Sequence, residues 1–231
     1  MKKILKATIL VLAFAAMSHA SLAFEVDATS ANTATSSKTI PQSSSESWKT
    51  VPTQTITGGD VTFAYREMGK HHGGTPVVFL VHLAAVLDNW DPRIMDGIAA
   101  KHHVIAFDNR GIGASSGSPS MSMEEMADDA ITFIKAKGFS KVDLFGFSMG
   151  GMVAQEIVLK EPSLIRKLIL TGTGPAGGEG ISTVAGVTFY DIFRGLFAGE
   201  DPKQFLFFTR TPAGKEAGKA FIARINERTE N

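Results

Sequence analysis

The stretch Gly146-Phe147-Ser148-Met149-Gly150-Gly151 decides the fold of this chain. It has the pattern G-x-S-x-G, follows an apolar run from Val142 to Phe145, and precedes apolar residues at helical spacing. A strand that turns this sharply into a helix has room only for small residues on either side of the serine. The pattern therefore predicts a strand, a strained turn at Ser148 and a helix. A chance Gly-Ser-Gly turn is the alternative, and the flanking strand and helix patterns argue against it.

Such a turn places the Ser148 hydroxyl where it could react with a bound substrate. The hydroxyl stands above the edge of the sheet, and the first N–H groups of the following helix point at the same place. Ser148 is therefore the candidate nucleophile. A serine hydroxyl is a weak nucleophile at its ordinary pKa, so it needs a neighbouring base and a carboxylate that orients the base.

Composition and charge exclude several classes of protein. With 231 residues and 44% hydrophobic residues, the chain is long enough for one sizeable α/β domain. Lys plus Arg and Asp plus Glu number 23 each, and no basic run is present, so we predict no nucleic-acid partner. The absence of cysteine excludes a disulfide framework, a thiolate zinc site and a cysteine nucleophile. His71 and His72 have neither a carboxylate nor a third histidine at metal-ligand spacing, so we predict a solvated turn there and no metal. We also predict no cofactor.

Residues 1–23 have the pattern of a signal peptide. Three lysines in the first six residues precede an apolar stretch, 7–17, that is too short to span a bilayer. Small residues then permit cleavage after Ala20 or Ala23. We predict a periplasmic or secreted protein with no membrane span in the mature chain. An uncleaved membrane anchor is the alternative.

The remaining chain divides into three parts. Residues 24–47 are rich in Ser, Thr and Ala and predict a disordered linker. Residues 48–174 alternate strand and helix patterns, which predicts a doubly wound, mostly parallel α/β sheet. Residues 175–231 predict a partial helical lid, and its aromatic residues favour a small apolar substrate. The predicted strands are 53–57, 61–67, 76–81, 104–107, 142–145 and 165–170, and the predicted helices include 89–100 and one between Ser122 and Gly138.

Three motifs between residues 53 and 171 resemble the α/β-hydrolase superfamily. They are His82-Leu83 after the third strand, Asp108 to Ser115 after the fourth, and the serine motif Gly146 to Gly151. The similarity is greatest to small esterases, lactonases and cofactor-free haloperoxidase-like members. The resemblance implies an α/β-hydrolase fold and hydrolysis of small apolar carboxylic esters or lactones.

The resemblance also implies roles for individual residues. Ser148 is the nucleophile, and the backbone N–H groups of Leu83 and Met149 form the oxyanion hole. His82, Gly146 and Gly150 are structural supports. Many members have His-Gly where this chain has His82-Leu83, and a leucine there narrows the acyl pocket.

One expected part of the superfamily's site is missing. Its members order the triad as serine, then acid, then histidine, yet none of the six histidines of this sequence follows Ser148. His82 could replace the missing base only by leaving its structural role, which we consider the weaker reading. We therefore predict a carboxyl-terminally truncated hydrolase, lacking the last strands and impaired in turnover. A non-catalytic fragment or a ligand-binding pseudoenzyme is the alternative.

The strand at 165–170 would then be a bare apolar edge. The sequence therefore also predicts possible self-association through this exposed edge.

Overall fold

A computed structural model describes residues 46–228. The predicted signal peptide and residues 24–45 of the predicted linker lie outside the described residues, as do the last three residues. The last two residues of the predicted linker lie inside them and contact the core. The Ser47 hydroxyl donates to the Asp96 carboxylate at 2.8 Å, and the Glu46 carboxylate accepts from the Gly69 N–H at 3.2 Å.

Six strands form one sheet in the order β1-β2-β4-β3-β5-β6. β1 pairs antiparallel with β2, and β2 pairs antiparallel with β4, whereas β4, β3, β5 and β6 run parallel to one another. Continuous apolar runs build the central strands because those strands are covered on both faces. The strands are β1 (Gln54–Gly58), β2 (Val61–Met68), β3 (Val77–Leu80), β4 (Val104–Phe107), β5 (Val142–Phe147) and β6 (Ile165–Thr171).

Six α-helices lie within residues 46–228. They are α1 (Pro92–Ala99), α2 (Met123–Ala136), α3 (Met149–Lys160), α4 (Ile181–Ala198), α5 (Pro202–Phe207) and α6 (Pro212–Ile225). The buried apolar side chains fall into two clusters, one of which joins α2 and α3 to the sheet. The other joins α1 and Trp48 to the sheet. This two-sided cover is the predicted doubly wound, mostly parallel α/β architecture.

Helix α1 begins three residues later than the predicted start at residue 89. The Asp91 carboxylate accepts from the Arg93 N–H at 2.9 Å, and Pro92 occupies the first helical position. An aspartate cap followed by proline is a strong helix start, so Leu87–Asn89 forms a separate 3₁₀ turn. Asp88, in this 3₁₀ turn, pairs with buried Arg66 at 2.5 Å.

The predicted lid region consists of α4, α5 and α6. Helix α4 is rich in apolar residues, and its buried residues are Ile192 and Gly195. Helix α6 is tied to the core because the Arg224 guanidinium donates to the Asp91 carboxylate at 3.0 Å. Within residues 46–228, we find no helix with the length and apolar character that a bilayer crossing requires.

Candidate active site

Ser148 occupies the sharp turn predicted from its motif. β5 ends at Phe147, α3 begins at Met149, and Ser148 between them has φ of 54° and ψ of −117°. This backbone conformation is strained for any residue with a side chain. Of the residues from 46 to 228, only Ala84 shares with Ser148 a positive φ in a residue other than glycine. The Ser148 N–H donates to the Thr171 carbonyl at 2.9 Å, which holds the turn against the end of β6.

The flanking glycines allow two close approaches of the backbone. A Cβ atom on Gly146 would lie 2.6 Å from the Gly151 Cα, so the two arms of the turn cross at this point. A Cβ atom on Gly150 would lie 2.0 Å from the Leu80 carbonyl oxygen. The first turn of α3 therefore packs directly on the carboxyl end of β3. These two contacts leave no room for a side chain at positions 146 and 150.

The loop after β3 consequently leaves the sheet beside the turn. Leu80 pairs with Gly146 in the β3–β5 register, so His82 and Leu83 emerge next to Ser148. Ala84, with φ of 57°, bends the loop immediately after Leu83. Met149 is the first residue of α3, so its N–H has no carbonyl partner within the helix. The two backbone N–H groups predicted to form an anion site thus belong to segments in contact through Gly150.

His82 is buried beside the turn. Its ring Nδ1 lies 2.9 Å from the Leu83 carbonyl oxygen, which can only accept, so Nδ1 carries the proton. Nε2 is enclosed and has no hydrogen-bond partner within residues 46–228. Burial lowers the pKa of His82 to about 4, because the imidazolium ion would lose its hydration. His82 is therefore a neutral side chain near pH 7 that braces the loop carrying Leu83.

Two phenylalanines cover the ring of His82. The ring centroids of Phe147 and Phe207 lie 5.5 and 5.0 Å from that of His82, both in edge-on arrangements. Phe207 is the last residue of α5, so the lid region reaches the site through this side chain. The sequence predicted an aromatic lid but did not single out Phe207, because periodicity cannot tell which of the clustered aromatics faces the sheet. The sequence also did not identify Thr171, whose carbonyl accepts the Ser148 N–H. The only indication of this role in the sequence is the position of Thr171 at the end of the strand after the motif.

Asp108 links two loops at the same edge of the sheet. Its carboxylate accepts from the Leu87 N–H at 2.8 Å and from the Ala114 N–H at 3.1 Å. Burial raises the pKa of Asp108 to about 6, since the charged carboxylate loses hydration that the two N–H groups only partly replace. The loop after β4 thereby supports the loop after β3. The Arg110 guanidinium, in the same loop as Asp108, donates to the carboxylates of Asp60 and Asp129.

The remaining described histidines lie elsewhere. His71 and His72 form an exposed 3₁₀ turn before β3, and His102 and His103 precede β4. These positions are at the amino ends of parallel strands, opposite the edge that carries Ser148. His103 is bound there by Glu67 at 3.0 Å. His82 is thus the only histidine of residues 46–228 at the carboxyl edge. Residues 46–228 contain no cluster of three potential metal-ligating side chains.

Comparisons with known proteins agree with this geometry. The model of the alpha/beta hydrolase fold family matches residues 75–210, more than half of the chain. A solved "Alpha/beta hydrolase fold protein from Chitinophaga pinensis" is 33% identical, with a TM-score of 0.72 over 80% of this chain and 66% of that one. A "Putative esterase/lipase" from Haemophilus influenzae is 35% identical over 130 residues, which are 56% of this chain and 43% of the relative.

A "Putative non-heme bromoperoxidase BpoC" from Mycobacterium tuberculosis is 31% identical over 114 residues, 49% of this chain and 42% of the relative. The chain thus spans less than half the length of these curated relatives. The match of the family model, the parallel sheet and the turn at Ser148 lead to one conclusion: this chain belongs to the alpha/beta hydrolase fold family.

Proposed function

We propose that the chain carries the nucleophile half of a serine hydrolase for small, apolar carboxylic esters or lactones. The observation that carries this proposal is the strained backbone of Ser148 at the start of α3, beside the loop that carries Leu83. A non-glycine residue keeps such a conformation only where the surrounding structure enforces it, and such strain is concentrated at functional sites.

In the proposed reaction, the Ser148 Oγ attacks the carbonyl carbon of the substrate. The carbonyl oxygen becomes an oxyanion, which accepts hydrogen bonds from the N–H groups of Met149 and Leu83. Loss of one such donor typically raises the barrier by about 3–4 kcal/mol. The rings of Phe147 and Phe207 next to His82 favour an apolar acyl or alcohol group.

The proton of the Ser148 hydroxyl needs an acceptor during this attack. No histidine follows Ser148 in the sequence, and the pKa of His82, at about 4, makes it a weak base. Loss of the histidine from a triad lowers kcat roughly 10⁶-fold, and an oxyanion hole with substrate binding still gives about 10³-fold catalysis over water. We therefore expect slow acylation of Ser148, in which water accepts the hydroxyl proton and the alcohol leaves as the ester C–O bond breaks, and little turnover by this chain alone.

The test compares the purified chain with Ser148→Ala and with Ser163→Ala, whose serine lies exposed in a 3₁₀ turn far from the motif. Each protein is incubated with p-nitrophenyl acetate, and the acyl adduct is measured by intact-protein mass spectrometry. We expect a single acetyl adduct that disappears only in Ser148→Ala. Equal labelling and equal p-nitrophenol release by all three proteins would contradict the proposal.

A non-catalytic, ligand-binding role is the second candidate. It is favoured by the enclosed Nε2 of His82 and by the lack of a histidine after Ser148. On this alternative, a slow-reacting ester analogue binds wild type and Ser148→Ala equally, and neither protein is acylated.

We also propose export of the chain by the signal peptide predicted at residues 1–23. Expression in a bacterium followed by amino-terminal sequencing of the periplasmic protein tests this. The expected mature chain begins at Ser21 or Phe24, and a chain that retains Met1 in the cytoplasm would contradict it.

A further inference from the structure

The outer edge of β6 is the least protected surface of the sheet. β6 pairs with β5 on one side, and within residues 46–228 no strand pairs with its other side. Three consecutive apolar side chains of β6 are substantially exposed: Leu168 by 36%, Ile169 by 41% and Leu170 by 42%. Consecutive residues of a strand point to opposite faces, so β6 is uncovered on both faces as well as along its edge.

The chemistry of this surface selects a β-strand as its occupant. An open edge presents a row of N–H and C=O groups that another strand can pair with in register. A lipid surface or a small apolar ligand would cover the side chains but leave this row of polar groups unpaired. The occupant must therefore bring its own backbone edge together with apolar side chains on both faces.

The sequence of β6 is complementary to itself. Around Ile169 it reads Lys167-Leu168-Ile169-Leu170-Thr171, with polar ends and an apolar centre. In an antiparallel pair related by a two-fold axis at Ile169, this residue faces Ile169 of the second copy. Leu168 then faces Leu170 of the second copy, and Lys167 faces Thr171. The three exposed apolar side chains at the centre of the strand therefore each meet an apolar partner on the same face.

The charges of β6 fit the same register. Lys167 lies opposite a threonine rather than opposite the other Lys167, so no like charges meet directly. Arg166 lies outside the paired residues and keeps its two hydrogen bonds to Asp143, at 2.9 and 2.5 Å.

We propose that β6 pairs antiparallel with β6 of a second copy of this chain, through a two-fold axis at Ile169. The paired strands join two six-stranded sheets into one continuous sheet. The pairing occupies the outer edge of β6 in each of the two copies. The strand at the other end of each sheet, β1, exposes Thr55 and Thr57 instead of apolar residues. Pairing through the sheet edges therefore stops at a dimer. This proposal does not depend on hydrolytic activity, and acylation of Ser148 does not enter its test.

The absence of cysteine makes a sharp test possible. The purified chain carrying Ile169→Cys is oxidised mildly, and Thr55→Cys on the opposite edge is the matched control. Facing residues of an antiparallel pair lie within the range that a disulfide can bridge. We expect Ile169→Cys to form a covalent dimer at least tenfold faster than Thr55→Cys. Equal rates would overturn the proposal.

Leu168→Cys and Leu170→Cys then report the register. In the proposed pair, residue 168 faces residue 170 of the second copy, whereas two residues 168 lie on a diagonal of about 7–8 Å. A mixture of the two variants is expected to cross-link several-fold faster than either variant alone. Faster linkage of Leu168→Cys to itself would indicate parallel pairing or an antiparallel register centred on residue 168, and either would overturn the proposal.

Light scattering after gel filtration measures the assembly without a cross-link. We expect a dimer for wild type and Thr55→Lys, and a monomer for Ile169→Lys with an unchanged far-ultraviolet circular dichroism spectrum. A wild-type monomer, or assemblies that grow beyond two copies, would overturn the proposal. If Ile169→Lys fails to fold, the cysteine variants still decide the question.

Discussion

The backbone N–H of Ser148 donates to the backbone carbonyl of Thr171 at 2.9 Å, and this bond joins the strained turn to the last residue of β6. The Thr171 hydroxyl adds a weaker bond, 3.3 Å long, to the Gly146 carbonyl just before the turn. The position of the candidate nucleophile therefore depends on the edge strand of the sheet.

The strain at Ser148 predicts a substitution that stabilises the fold and removes the nucleophile. Glycine adopts φ of 54° without a steric penalty, so Ser148→Gly relieves about 1–3 kcal/mol of strain. The greater entropy of glycine in the unfolded chain offsets about 0.5–1 kcal/mol of this gain. We expect a net increase of about 1 kcal/mol in the free energy of unfolding, measured by urea denaturation. Ser148→Ala keeps the strained conformation and is the matched control, expected to change stability by less than half as much.

The contact between Gly150 and β3 predicts the opposite result. A methyl group on Gly150 would lie 2.0 Å from the Leu80 carbonyl oxygen, and neither backbone can move without disturbing the turn. Gly150→Ala is therefore expected to destabilise the fold by about 3 kcal/mol, at the upper end of the usual cost of overpacking.

Gly97 supplies the control for this substitution. It lies within α1, and a methyl group there meets no atom within 4 Å. Gly97→Ala should stabilise the fold by about 0.5–1 kcal/mol, because alanine favours helix more than glycine does. Similar urea midpoints for Gly150→Ala and wild type would mean that α3 does not pack on β3 as described.

The local patterns of this sequence predicted the strands, the turn and most helices because each depends on neighbouring residues. The G-x-S-x-G motif predicted a strained backbone at Ser148, and the alternation of strands and helices predicted a parallel sheet. The predicted start of α1 was wrong by three residues, because the Asp91 cap and Pro92 determine the actual boundary.

Contacts between distant segments could not be predicted in this way. The pairing of Arg66 with Asp88 and the packing of Phe207 on His82 depend on how the elements assemble. Helix α4 is rich in apolar residues, so periodicity gave no indication that its buried residues are Ile192 and Gly195. The enclosed Nε2 of His82 likewise depends on α5, a helix more than 100 positions away in the chain.

A buried cluster of charged side chains lies at the edge of the sheet opposite Ser148. This cluster predicts a loss of stability in acid. The Glu67 carboxylate accepts from His103 and from Lys137, at 3.0 and 3.1 Å, and all three side chains are buried. The hydrogen bond with His103, and then that with Lys137, lowers the pKa of Glu67 from its ordinary 4.5 to about 2. A lowered carboxyl pKa stabilises the fold above pH 4.5, and this stabilisation is lost as the pH falls from 4.5 towards 2.

A pKa difference of this size corresponds to about 3 kcal/mol at neutral pH. Urea unfolding at pH 6, 4 and 3 should show a steeper loss of stability for wild type than for Glu67→Gln. Glu161→Gln removes an exposed pair with Lys135 and should follow wild type, because surface ion pairs contribute less than about 1 kcal/mol. Parallel pH profiles for wild type and Glu67→Gln would show that the cluster does not hold Glu67 ionised.

His82 and Phe207 give a prediction that tests the lid and the site together. Burial lowers the pKa of His82 to about 4, and the ring of Phe207 forms part of the cover that excludes water from the imidazole. Nuclear magnetic resonance of the ring nitrogens should therefore show a neutral imidazole with the proton on Nδ1 at pH 7, and protonation only near pH 4. Because the folded-state pKa is lowered, His82 stabilises the fold above pH 6.5, and this stabilisation is lost as the pH falls from 6.5 to 4.

Phe207→Ala should admit water to the ring and raise the pKa of His82 by about one unit towards its ordinary value of 6.5. The control is Phe208→Ala, because the neighbouring Phe208 packs on Phe221, 5.6 Å away, and should leave the titration of His82 unchanged. A wild-type His82 that titrates near pH 6.5 would mean that α5 does not close over the site. The same shift in both variants would mean that general loosening of the lid, rather than the ring of Phe207, controls the imidazole.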